Sequence, residues 1–140
     1  MDTKKLLLGT LIGGLVYFFG GWIIYDMILG EFFKSQAGSA QGVAREAPLL
    51  WSLALGSFTA GLLLTLIFNR WAGIKTAVSG AKAGALIGFL IALAFDFTQY
   101  GMTNLMSFTG LVGDALTYGF ISGLAGAAIG WMLGRDDSTS

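Results

Sequence analysis

Four long stretches of the chain carry almost only apolar and small residues, and the polar residues crowd into the gaps between them. The stretches cover residues 6–29, 49–68, 77–100 and 111–134. A helix needs roughly 20 mostly apolar residues to cross the hydrocarbon core of a bilayer, so the pattern predicts four transmembrane helices. Between the first two lies "GEFFKSQAGSAQGVAREA", within a connecting loop at 30–48 that is rich in Gly, Ser, Gln and Ala. Phe32 and Phe33 beside Glu31 and Lys34 predict a short amphipathic helix on the membrane surface there. Pro48 fits the first turn of the second helix, where a missing N–H costs little. The start, "MDTKKLLLGTLIGGLVYFF", has the basic residues and apolar run of a signal peptide. Its run is too long and no small-x-small site follows, so it is expected to stay as a helix.

Within the apolar stretches the small residues are ordered. Residues four apart share a helix face. The third stretch has Gly80, Gly84, Gly88 and Ala92 in such a row, and the fourth has Ser122, Gly126, Gly130 and Gly134. The second offers Ser52, Gly56 and Ala60, and the first Gly9 and Gly13. In lipid there is no hydrophobic drive between helices, and small residues substitute for it by letting backbones approach closely. The rows predict tight packing of the third helix on the fourth. There are enough of them to serve a homo-oligomer interface as well.

Composition agrees with lipid as the solvent. The 140 residues are 55% hydrophobic and 11% charged, where a soluble domain has about a quarter charged. The length suits one domain. Net charge is zero, and no basic patch with interleaved aromatics exists to hold nucleic acid. With no histidine and no cysteine, imidazole bases, thiolate nucleophiles, disulfides and the usual zinc and iron–sulfur sites are excluded. No cofactor or metal is expected. Lys4, Lys5, Arg70, Lys75, Lys82 and Arg135 fall on one side of the predicted topology, and only Lys34 and Arg45 on the other. That bias predicts cytoplasmic termini. Sliding the chain by half its length aligns Gly14 with Gly84, Asp26 with Asp96, Ser52 with Ser122 and Gly56 with Gly126, as a duplicated hairpin would.

Three acidic residues then stand out, because Asp26, Asp96 and Asp114 lie inside or at the edges of apolar stretches. Continuing the third row by fours from Ala92 gives Asp96, Tyr100 and Asn104. Running the fourth row backward from Ser122 gives Tyr118 and Asp114. The two helices are antiparallel, so facing rows would bring Asp96 and Asp114 together at the non-cytoplasmic end. Intramembrane acids are costly and mark functional sites by default. The candidate is therefore a cation, proton or polar-ligand site built from Asp26, Asp96, Tyr100, Asn104, Asp114 and Tyr118. The plainer alternative is that Asp114 answers a helix dipole, while Asp26 and Asp96 reach headgroups or bond to Tyr25, Tyr100, Thr98 or Gln99. No substrate motif accompanies the acids, and no catalytic residues are assigned.

The segments "YFFGGWIIYDMILGEFF", "WSLALGSFTAGLLL", "GALIGFLIALAFDF" and "ISGLAGAAIGW" together resemble an uncharacterised family of short four-helix bacterial inner-membrane proteins, a domain of unknown function. The resemblance implies a bacterial inner-membrane location and carries no activity or site residues. The expectation is an all-α bundle of four transmembrane helices with both termini cytoplasmic. Its expected role is a non-enzymatic membrane module, either an accessory subunit or a self-associating protein. The alternative is a small oligomeric transport or ion-binding protein that uses the acids. Its partners would be the lipid bilayer and a homo-oligomer or larger membrane complex, and not nucleic acid.

Overall fold

The computed structural model describes residues 3–139. Helix α1 (Thr3–Gly21) widens into a π-helix over Trp22–Ile28, and the short α2 (Gly30–Ser35) follows. Helix α3 (Leu50–Leu66) likewise ends in a π-helix over Ile67–Ala72, and α4 (Ala77–Met102) and α5 (Phe108–Thr139) complete the chain. Among the described residues four spans are long and apolar enough to cross a membrane: Thr3–Ile28, Leu50–Ala72, Ala77–Met102 and Phe108–Arg135. The protein is thus an all-α, multi-pass bundle. Trp22, Trp51, Trp71 and Trp131 all lie toward span ends and are exposed, where amphipathic rings meet the headgroups.

Local chemistry sets the boundaries that hydropathy leaves loose. Helix α4 starts where the Thr76 hydroxyl accepts the Ser79 N–H at 3.1 Å, an N-cap. Helix α5 starts at Phe108, three residues before the apolar run, because Ser107 Oγ caps it by accepting the Gly110 N–H at 3.1 Å. The α3 span ends at Gly73, which takes a left-handed conformation with φ +65 that glycine adopts without steric cost. Pro48 is not in the first turn of α3. Leu49, extended at φ −81 and ψ 93, is the residue that precedes the helix, so the proline lies one position further out.

Helix α5 is the centre of the molecule. Well over half of its apolar span is buried, against less than a quarter of each of the other three. Helix α4 packs along one side of α5, α1 along another, and α3 packs mainly on α1. The main core gathers Leu64 and Phe68 from α3 with Ile121, Ala125, Ile129, Met132 and Leu133 from α5 and Tyr17 from α1. Two ends can be told apart: the α2 end, with the 30–48 and 103–107 connections, and the terminal end, with the N-terminus and the 73–76 turn.

The α4 and α5 rows face one another. A methyl placed on Gly80 would strike the carbonyl of Gly126, and one on Gly126 the carbonyl of Gly80. A methyl on Gly84 would strike the Ser122 carbonyl, and one on Gly88 the Ser122 side chain. Beyond them, Gly130 lies against the Thr76 carbonyl and Gly134 against that of Lys75. Gly80, Gly84, Gly88 and Ala92 are all buried. Helices α1 and α3 meet differently. Their backbones come together at Gly61, where a Cβ would lie 2.6 Å from the Gly14 nitrogen and 3.0 Å from the carbonyl carbon of Gly13. Of the row predicted on the second helix, Ala60 packs against the core, and the other two members do not. Ser52 and Gly56 are exposed, and nothing lies within 4 Å of a Cβ on Gly56. The same row continued by fours reaches Ala60, Leu64 and Phe68, which do pack into the core, so only its part toward the α2 end stands outside. Of the residues aligned by the half-length offset, Asp26, Ser52 and Gly56 are exposed where Asp96, Ser122 and Gly126 are buried, and Gly14 and Gly84 agree, both buried.

Candidate functional site

Asp96 is one helical turn beyond Ala92 at the end of the α4 row. It is 3% exposed, and among the described residues no donor reaches its Oδ2. The facing position on α5 is Asp114, and the two carboxyls lie within hydrogen-bonding reach of each other. No ion pair to either acid exists among the described residues. Each acid is six residues from the α2 end of its helix, or about 9 Å along the axis at 1.5 Å per residue. Two carboxylates in contact repel, and an opposite charge between them, a proton or a cation, removes the repulsion.

Helix α1 completes the surroundings. The Tyr25 hydroxyl donates to the backbone carbonyl of Asp114 at 3.3 Å, and its side chain lies beside both acids. Tyr118, one turn below Asp114 on α5, lies within electrostatic reach of it. The Tyr118 ring packs against that of Tyr17, with centroids 5.7 Å apart. The Tyr17 hydroxyl in turn donates to Ser122 Oγ at 2.8 Å, and Ser122 is fully buried. Hydroxyl-bearing side chains therefore descend from the acid pair to Ser122, near the middle of α5. Toward the terminal end the same cleft is filled by Ala125, Ile129 and Leu133 with Leu64 and Phe68. That half is apolar and closed.

The α2 end of the site is covered. The Phe32 ring lies so close to Gly113 that a Cβ there would be 2.8 Å from its Cζ. The Phe33 ring packs against Tyr25 with centroids 5.2 Å apart. The amphipathic helix predicted at Phe32 and Phe33 thus turns its rings onto the bundle. Beyond it, Ser107 Oγ donates to Gln36 Oε1 at 2.6 Å and the Ser107 N–H to the Gln36 carbonyl at 2.8 Å. The Gly38 N–H donates to the Leu105 carbonyl at 3.0 Å. These bonds clasp the first connection to the third.

Three of the predicted site residues meet: Asp96, Asp114 and Tyr118. The other three do not. Asp26 is exposed and lines a groove between α1 and α3. Tyr100 is 44% exposed and packs edge-on against Phe108, centroids 6.0 Å apart. Asn104 lies beyond the end of α4 and is exposed, contributing its carbonyl to the Ala40 N–H at 3.0 Å. A row of fours drifts by about 40° per step round a helix of 3.6 residues per turn, so following it to Tyr100 overshoots the buried face. Two further residues belong to the site: Tyr17, and Tyr25, which the plainer alternative names only as a bonding partner of Asp26 and Asp96. Extending the Gly9 and Gly13 row by fours reaches Tyr17, Gly21 and Tyr25, so the same signal was present on α1.

Comparison of the chain with protein-family profiles, with curated proteins and with solved structures finds no match.

Proposed function

We propose that the protein is a non-enzymatic, multi-pass module of a bacterial cytoplasmic membrane that holds a proton or a small cation between Asp96 and Asp114. The observation that carries this reading is Asp96 Oδ2, a buried carboxylate oxygen that no donor reaches, beside a second carboxyl. Buried polar atoms are nearly always partnered, and an acid pair lacking a basic neighbour leaves room for a positive partner. Carboxylate oxygens are ligands that hard cations take, and Tyr25 and Tyr118 line the surroundings of the pair. The apolar half below Ser122 favours binding over conduction by a single copy. Lys4, Lys5, Arg70, Lys75, Lys82 and Arg135 at the terminal end favour cytoplasmic termini, with the acid pair toward the opposite face.

Infrared difference spectra of the protein in lipid nanodiscs, taken across a pH series and a sodium series, read the carboxyl groups directly. The expected result is a carboxyl signal that responds to pH or to sodium and is lost in both Asp96→Asn and Asp114→Asn. Response to pH alone identifies a proton, and response to sodium a cation. A wild-type spectrum indifferent to both, or a signal that survives both substitutions, overturns the reading.

A second reading, self-association through α3, is favoured by the outward Ser52 and Gly56, around which a second helix has room to approach. The chain has no cysteine, so Gly56→Cys gives a single reporter. Disulfide-linked dimers in native-like lipid are expected, and their absence counts against this reading.

A further inference from the structure

Helices α1 and α3 cross tightly at Gly13 and Gly61, with Phe58 of α3 against Gly14 of α1. Toward the α2 end they part, and the space between them is a groove of about 490 Å³. Its lining is almost wholly apolar and includes Tyr17, Gly21, Trp22, Tyr25 and Leu53, with the carboxylate of Asp26 as its charged group. Trp22 and Leu53 are more than half exposed, so the groove opens sideways from the bundle. Asp26 makes no ion pair among the described residues. The volume lies within the roughly 300–1,000 Å³ of small-molecule sites.

We infer that this groove binds an amphiphilic organic cation, with Asp26 as its counter-charge and the Trp22 and Tyr25 rings against its positive centre. The charge complementarity selects the occupant. An apolar body fits the walls, aromatic faces attract cations through their quadrupole, and a lone carboxylate repels the phosphate of an anionic lipid. The site is separate from the carboxyl pair and does not rest on its function. The two share walls, however. Tyr17 and Tyr25 line the groove with their rings, while their hydroxyls reach Ser122 and the Asp114 carbonyl.

The test compares two ions of the same shape and opposite charge, tetraphenylphosphonium and tetraphenylborate, binding to the protein in phosphatidylcholine nanodiscs. Tetraphenylphosphonium is expected to bind saturably and to quench tryptophan fluorescence, and tetraphenylborate, titrated separately because the two ions precipitate together, to show no saturable binding. Asp26→Asn should weaken binding by at least about fivefold, the effect of one unit charge about 4 Å away in a water-like dielectric. Gly21→Leu, where an added Cβ meets nothing within 4 Å, should fill the groove and abolish binding. Should Gly21→Leu misassemble, Asp26→Asn still decides, because Asp26 is exposed. Equal binding of the two ions would show a lipid slot and overturn the inference. So would unchanged affinity in Asp26→Asn, or loss of all binding when phosphatidylethanolamine replaces phosphatidylcholine.

Discussion

The Tyr17 hydroxyl on α1 donates to Ser122 Oγ on α5 across 2.8 Å, inside the bundle. This bond ties the α1–α3 side of the molecule to the α4–α5 side at mid-membrane depth. Hydrogen bonds between membrane helices contribute about 0.6 kcal/mol on average and at most about 1.7. Tyr17→Phe and Ser122→Ala are each expected to destabilise by that order in reversible unfolding from bicelles. The double variant should be little worse than either single one, because both remove the same bond. Additive losses would show that the two residues act separately.

Glycine substitutions should separate into two classes. Gly84→Ala and Gly126→Ala push a methyl into the facing backbone and should cost about 1–3 kcal/mol, the usual penalty for overpacking. Gly56→Ala meets open space and should be neutral or stabilising by up to about 1 kcal/mol through helix propensity. Thermal unfolding of the three variants in one lipid system checks the order.

Asp96→Asn tests whether the acid pair holds the fold. An asparagine amide can donate to Asp114 as a proton held between the two carboxyls would, so the contact between α4 and α5 is kept. Stability is expected to be unchanged or raised by about 1 kcal/mol, with the fold intact. A loss of more than about 2 kcal/mol in thermal unfolding would mean that the carboxylate itself is structural.

The clasp at the α2 end predicts a local effect. Gln36→Ala removes the acceptor of Ser107 Oγ and should speed amide hydrogen exchange at Gly38 and Ser107 while leaving the centre of α5 unchanged. Phe32→Ala uncovers Gly113 and should extend the faster exchange into the first turns of α5. Exchange rates equal to wild type in both variants would show that the cover contributes nothing to closure.

Much of this was legible in the sequence, because lipid narrows the choices. Four apolar runs must be helices, since every backbone polar group has to be satisfied internally. The Gly80 row and the Ser122 row met as their spacing predicts, and with them Asp96 and Asp114. The failures share one physical cause. A row of fours drifts round the helix by about 40° per step, so only part of a long row can lie on the buried face. On α3 the Ser52 row lies in the core at Ala60, Leu64 and Phe68, and its members nearer the α2 end, Ser52 and Gly56, stay outside. At Tyr100 and Asn104 the row outran its buried face and then its helix. The α1 row passes from glycine to tyrosine at Tyr17, and a phenol does not look like the continuation of a small-residue face, although Tyr17 fits against the Tyr118 ring and Ser122.

The closed lower half has an electrical consequence. The acids lie about 9 Å below their helix ends, while Phe68, Ile129 and Leu133 fill the cleft on the way to the terminal end. Most of a transmembrane voltage would therefore fall across the apolar half, at about 2.3 kcal/mol per elementary charge per 100 mV for the full crossing. A charge reaching Asp96 from the α2 end traverses only a small part of that drop. One leaving toward the other end would traverse nearly all of it.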